Sequence, residues 1–167
     1  NIRKVAAATG GRAAYVHVPD TSAARHASFK RYFFPQTHKE ALILDDRNNG
    51  GGFVADYYID ILRKQAVMRW ATRYGKDLRT PRATIDGPKV MIINEGAGSG
   101  GDLLPWMFRK FQLGPIVGTR TWGGLVGNLE IHTLMDGGTI TAPNIAGWTS
   151  QDGWVIEDVG VAPDIQV

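Results

Sequence analysis

Apolar residues along this chain gather in two kinds of pattern. "AAYVHV" (13–18), "EALILD" (40–45) and "KVMIIN" (89–94) are short, nearly continuous apolar runs. Such runs predict strands buried on both faces, and each is stopped by proline or by a polar, glycine-rich stretch. "TSAARHASFKRYFFPQ" (21–36) predicts a helix, with Thr21 or Ser22 as N-cap and Pro35 at its far end. Phe53, Tyr57, Ile61, Val67 and Trp70 recur at near-helical spacing and predict an amphipathic helix within 53–71. A Pro- and charge-rich loop (75–88) leads to the 89–94 strand, and a second helix is predicted over 102–112. Shorter strands follow at 115–120, 127–134 and 137–143, separated by Gly-Gly and Asp-Gly-Gly turns. Strand–helix alternation followed by hairpin-like strands predicts an α/β fold, a mainly parallel sheet with some antiparallel strands.

At 167 residues the chain suits one domain with a single core. No apolar run approaches the roughly 18 residues of a membrane span. The chain opens without methionine or a signal-like segment, and reads as a piece of a longer polypeptide in which residues 1–11 are the remnant of an upstream linker. A formal charge of +3 is too small to argue for nucleic acid. One stretch is locally basic: Arg63, Lys64, Arg69, Arg73, Lys76, Arg79 and Arg82 surround a single acid, Asp77. It reads as a solvated face or as a positive wall towards an anionic partner or a peptide carboxylate. The absence of cysteine excludes disulfides, thiolate metal sites and a cysteine nucleophile.

Two glycine clusters carry the candidate chemistry. Residues 96–101, Gly-Ala-Gly-Ser-Gly-Gly, satisfy G-x-G-x-x-G, yet the next strand lacks the acid that a dinucleotide's ribose requires, and no Walker lysine is present. The same cluster places Ser99 at a sharp strand-to-helix turn. There it can serve as a helix N-cap or as an exposed nucleophile near the positive end of the helix dipole. The second cluster, "LDDRNNGGGF" (44–53), is another strand running into glycines and a helix. Two such turns on adjacent parallel strands can present unhindered N–H groups to a developing oxyanion.

"LDDRNNGGGF", "NEGAGSGGD", "VGTRTWGG" and "WVIEDVGVAPDIQV" together resemble, in order and spacing, the C-terminal processing (tail-specific) protease family, in particular its tricorn-type branch. The resemblance covers residues 12–167. It implies a crotonase/ClpP-like ββα fold and serine peptidase chemistry on peptides or unfolded polypeptides, with no metal and no cofactor. It further implies upstream catalytic and PDZ-like domains in the same polypeptide, a homo-oligomer and a cytoplasmic setting. By the same resemblance Ser99 is the nucleophile, Gly51 and Gly100 supply oxyanion N–H groups, and Glu157 helps polarise the catalytic unit. Asp45 and Arg47 hold the oxyanion loop in place.

One departure matters. Many processing proteases activate the serine with a lysine in a "T-x-G-K-G" setting, and position 124 here is glycine. The tricorn-type base is a histidine on an earlier segment, and none of His17, His26, His38 and His132 lies in a matching motif. Two other readings stay open: a crotonase-like enzyme acting on acyl thioesters, and a non-catalytic peptide-binding or assembly module.

Overall fold

The computed structural model describes residues 1–129 and 131–167. Helix α1 (Ile2–Ala8) leads into strand β1 (Ala13–His17). Helix α2 (Ala23–Phe33) is capped by Ser22, whose Oγ accepts the Arg25 N–H. A 3-10 turn over Phe34–Gln36 then carries the proline, which cannot extend the α-helix. Strand β2 (Ala41–Asp45) and helix α3 (Ala55–Leu62) follow. A small hairpin, β3 (Met68–Trp70) with β4 (Leu78–Thr80), separates α3 from strand β5 (Lys89–Ile93) and helix α4 (Gly100–Lys110). The rest is β6 (Ile116–Gly118), the hairpin β7 (Ile131–Thr133)–β8 (Thr139–Thr141), the pair β9 (Trp148–Thr149)–β10 (Gly153–Trp154), and β11 (Ile165–Gln166).

Five strands form one sheet in the order β1-β2-β5-β6-β11, every neighbouring pair parallel. The antiparallel pairs lie outside it, so the parallel and antiparallel expectations are met by separate sheets. In register, Leu42, Leu44, Met91, Ile93 and Ile116 are fully buried and pack with Tyr58, Ile59, Leu62, Leu104 and Phe108 of α3 and α4. Ile43, Val90 and Ile92, which alternate with them, are only half-buried. Continuous apolar runs predicted strands covered on both faces, yet one face of β2 and β5 is fully buried with α3 and α4 and the other only half-buried.

The helix expected within 53–71 is shorter. Its buried face is Ala55, Tyr58, Ile59, Ile61 and Leu62, whereas Phe53 and Tyr57 face out. After Leu62 the residues Arg63, Lys64 and Gln65 offer no apolar anchor, and Met68–Trp70 pairs with β4 instead. The spacing of Val67 and Trp70 was thus a false continuation. The 127–134 strand is present as β7, with Gly127 bridging Ile145; its Glu130 lies outside the described residues.

Phe108 fixes α4 against the sheet and is fully buried. Phe108→Ala is expected to lower unfolding stability by about 3–5 kcal/mol, read as a lower urea midpoint with unchanged m-value.

Candidate active site

Strands β2 and β5 are adjacent and parallel, so the turns leaving their C-terminal ends open on one edge of the sheet. The turn after β5 forces Ser99 to φ 56° and ψ −116°. A non-glycine residue with positive φ is uncommon and costs on the order of 1–3 kcal/mol. Ser99 makes no capping hydrogen bond with its side chain, so the N-cap reading does not account for it. α4 begins at Gly100, whose N–H has no intrahelical partner.

The turn after β2 lies directly against this serine. Gly51 has φ 92°, and a Cβ built on it would stand 2.8 Å from Ser99 Cβ, 3.1 Å from its Oγ and 3.2 Å from Gly100 N. The missing side chain is what leaves the hydroxyl accessible. Thr21, fully buried, grips the turn from outside: its N–H donates to Gly51 O (2.7 Å) and its Oγ1 to Gly52 O (3.1 Å). Asn49 joins the two turns. Its carbonyl accepts the Gly98 N–H at 3.0 Å, and its Oδ1 accepts the Gly51 N–H at 2.9 Å.

That last bond bears on the oxyanion donors implied by the resemblance. Gly51's N–H is already given to Asn49, while the Gly52 N–H has no partner among the described residues. Gly52, Ser99 and Gly100 line one shared groove with Phe53, Leu103 and Leu125. The Gly100 and Gly52 N–H groups are therefore the ones left open beside Ser99, while Gly51, bare of a side chain, leaves space over it. Asn49 was missed in the sequence, although an asparagine directly before three glycines is a signal for a side-chain-pinned turn.

Asp45 and Arg47 brace the loop. Arg47 donates from Nε and an NH2 nitrogen to the two Asp45 oxygens (2.8 and 2.6 Å), and Tyr15 O–H adds a third bond to Asp45 Oδ2. Burial pushes the Asp45 pKa up, but the Arg47 and Tyr15 hydrogen bonds outweigh it and hold the carboxyl below its ordinary value. Glu157 sits between two residues of positive φ, Ile156 and Asp158. Its Oε2 accepts the Leu125 and Val126 N–H groups at 2.7 and 2.6 Å, so here it shapes the groove wall; no hydrogen bond joins it to Ser99. Gly124 packs against Trp122: a Cβ there would come 2.6 Å from the indole, which would have to shift to admit a side chain.

A second groove meets Ser99 from the other side, between Asn49, Gly96, Gly98 and Trp122. Among the described residues, neither groove is lined by a histidine or lysine. His17 approaches Arg47 O (3.3 Å), and His26 stacks among Phe29, Tyr57 and Tyr58. A cavity of about 430 Å³ lies elsewhere, lined by Asn1, Tyr15, His17 and Tyr58, and does not include Ser99.

The comparisons fit this geometry. The model of "Peptidase family S41" matches residues 12–167. The chain belongs to peptidase family S41. It is 36% identical over 167 residues to the tricorn protease of Thermoplasma acidophilum, covering 100% of this chain and 16% of that protein. It is 40% identical over 159 residues to the tricorn protease homolog of Saccharolobus solfataricus, covering 94% of this chain and 15% of that one. Among solved structures, that of the tricorn protease superposes with a TM-score of 0.94 at 36% identity, over 100% of this chain and 16% of the other. The photosystem II D1 C-terminal processing protease gives 0.63 at 27% identity, over 92% and 42%. The chain thus spans about a sixth of its tricorn relatives. The α/β fold of this S41 member is the one the resemblance implied. Among the described residues no helix is long and apolar enough to cross a membrane.

Two outcomes follow for the site. Gly51→Ala should leave the protein folded while slowing covalent labelling of Ser99 in the full-length protein by about 10²-fold, because the added Cβ would stand 2.8 Å from Ser99 Cβ and displace the hydroxyl. Mass spectrometry of a fluorophosphonate adduct checks this, and a normal rate removes Gly51 from the site. The Asp45 carboxyl, held below its ordinary pKa of 3.8, contributes stability that is present above that value and lost as pH falls through its lower folded value. The wild-type urea midpoint should therefore fall on acidification, and Asp45→Asn should flatten that part of the fall.

Proposed function

We propose that this chain is the nucleophile-bearing subdomain of a tricorn-type serine peptidase. The observation that carries the reading is Ser99 itself, held at positive φ with its Oγ against Gly51 and beside the open N–H of Gly100. A residue strained in this way, half-buried at a strand-to-helix turn with its hydroxyl on a groove, fits what a nucleophile elbow requires.

Ser99 Oγ attacks the carbonyl carbon of a peptide bond lying across the two grooves. The hydroxyl proton passes to a base, and the carbonyl oxygen, now negative, receives the N–H groups of Gly100 and Gly52. Those donors sit in turns already fixed by Thr21 and Asn49, so little reorganisation is needed as charge develops. The base returns the proton to the departing amine, and water then releases the acyl group from Ser99. Glu157, through Leu125 and Val126, positions the apolar wall on which the substrate chain rests.

The base is a histidine from an upstream segment of the same polypeptide. Two observations support this: position 124, where the resemblance puts the lysine of other processing proteases, is glycine, and among the described residues no histidine or lysine lines the grooves. The upstream catalytic and PDZ-like domains, a homo-oligomer and a cytoplasmic setting belong to the same proposal. Val67, Tyr74, Met135 and Trp154, each more than two-thirds exposed, are apolar surface of the kind that neighbouring domains or subunits cover.

The isolated chain should hydrolyse peptides at a trace rate only, and restoring the upstream segment should raise that rate by several powers of ten, because the members of a catalytic unit act together. Efficient cleavage by the chain alone, lost on Ser99→Ala, would place the base within these residues and overturn the assignment.

A further inference from the structure

The two grooves that meet at Ser99 differ in chemistry. The one that holds the open N–H groups of Gly52 and Gly100 is walled by Phe53, Leu103, Leu125 and Ile145, all apolar. The other carries a single charged residue on its wall, Glu95, next to the ring of Trp122, and has about 410 Å³ of space, room for a long side chain.

Glu95 lies just beyond β5 and is exposed. The Thr119 hydroxyl, from the segment after β6, donates to Glu95 Oε2 at 2.6 Å and fixes where the carboxylate stands. That bond, with one from Glu95's own backbone, holds the carboxyl below its ordinary value of 4.5, so it is ionised at neutral pH. Among the described residues no lysine, arginine or histidine forms an ion pair with it. Arg120, beside Thr119 in the chain, is engaged elsewhere, donating to Val159 O at 3.0 Å.

Trp122 is 71% exposed, yet it is held firmly. Its backbone N–H donates to Ala97 O at 2.8 Å, and its indole is seated on two bare glycines: a Cβ on either Gly98 or Gly124 would stand 2.6 Å from the ring. A fixed aromatic face attracts a cation, and the aliphatic stem of a lysine or arginine packs well along it.

While Ser99 Oγ carries the acyl group, the carbonyl oxygen sits with the Gly52 and Gly100 N–H groups, so the acyl half of the substrate occupies the apolar groove. The departing half then lies in the groove of Glu95. We propose that this groove selects a lysine or arginine side chain on the departing side of the scissile bond, its stem along the Trp122 ring and its charged head at the Glu95 carboxylate. Glu95 is thus a specificity-determining residue, and this role rests on the proposed Ser99 site. The groove is open to water, so an exposed ion pair and a cation–π contact together amount to about tenfold in selectivity.

The test uses the full-length protein and sets of otherwise identical peptides with lysine, norleucine or glutamate directly after the cut, which mass spectrometry locates. The ratio of kcat/KM for lysine over norleucine should be about ten in the wild type and close to one in Glu95→Gln. Glu95→Lys should prefer the glutamate peptide to the lysine peptide. Equal cleavage of the lysine and norleucine peptides by the wild type overturns the assignment, as does a ratio that Glu95→Gln leaves unchanged. The same peptides are also titrated against full-length Ser99→Ala, which binds without cleaving. There the lysine peptide should bind more tightly than the norleucine peptide, and adding Glu95→Gln should remove the difference; absence of that difference likewise overturns the assignment. Failure of the wild type to cleave any peptide, with the binding difference present, would count against the peptidase reading alone.

Discussion

The contact between Gly51 and Ser99 is the constraint around which the rest is arranged. Ser99 holds a backbone conformation that side-chain-bearing residues avoid, and a Cβ on the residue facing it would come within 2.8 Å of its own. Two turns from neighbouring parallel strands can approach this closely only where both are stripped to glycine. The sheet supplies the approach: β2 and β5 are in register from Leu42–Lys89 to Asp45–Ile92, so their ends deliver the turns at one level. The buried apolar layer of Leu44, Met91 and Ile93, packed with Phe108 of α4, keeps that register, because a slip by one residue would turn the three strand side chains out of the core.

Around this contact the polar groups form a brace. Thr21, Asn49, Asp45, Asp46 and Asp102 are all buried or nearly so, and between them they engage the backbone or side chains of both turns. Buried polar groups of this kind stabilise only when paired, so most of them fix the loops to a single arrangement. Among the described residues the second oxygens of Asp46 and Asp102 are the exceptions, buried without a partner. Glu157 extends the brace to the far wall, holding 125–126 from a turn that is itself strained at Ile156 and Asp158.

Much of this was legible in the sequence, for physical reasons that can be named. β1, β2 and β5 were found to within a residue or so, because buried parallel strands write themselves as unbroken apolar runs. Ser99 and the glycine clusters stood out because tight turns need glycine. The amphipathic stretch misled: Phe53, Tyr57, Val67 and Trp70 have helical spacing, yet all four are exposed, and apolar spacing alone does not reveal which side meets the core. Asn49, Asp46 and Asp102 escaped attention because polar residues within a glycine-rich loop look solvated until the fold buries them. Which of Gly51 and Gly52 keeps its N–H free was equally hidden, since it depends on where the Asn49 side chain turns.

A catalytic pocket formed around Ser99 by the turns after β2 and β5 is what the proposed activity requires. The most direct measurement is a crystal structure of the full-length protein inactivated by a peptide aldehyde. The account predicts a covalent bond to Ser99 Oγ, with the hemiacetal oxygen roughly 2.7–3.1 Å from both Gly100 N and Gly52 N. An adduct on another residue, or a Ser99 adduct whose oxygen points to solvent away from both glycines, would contradict it.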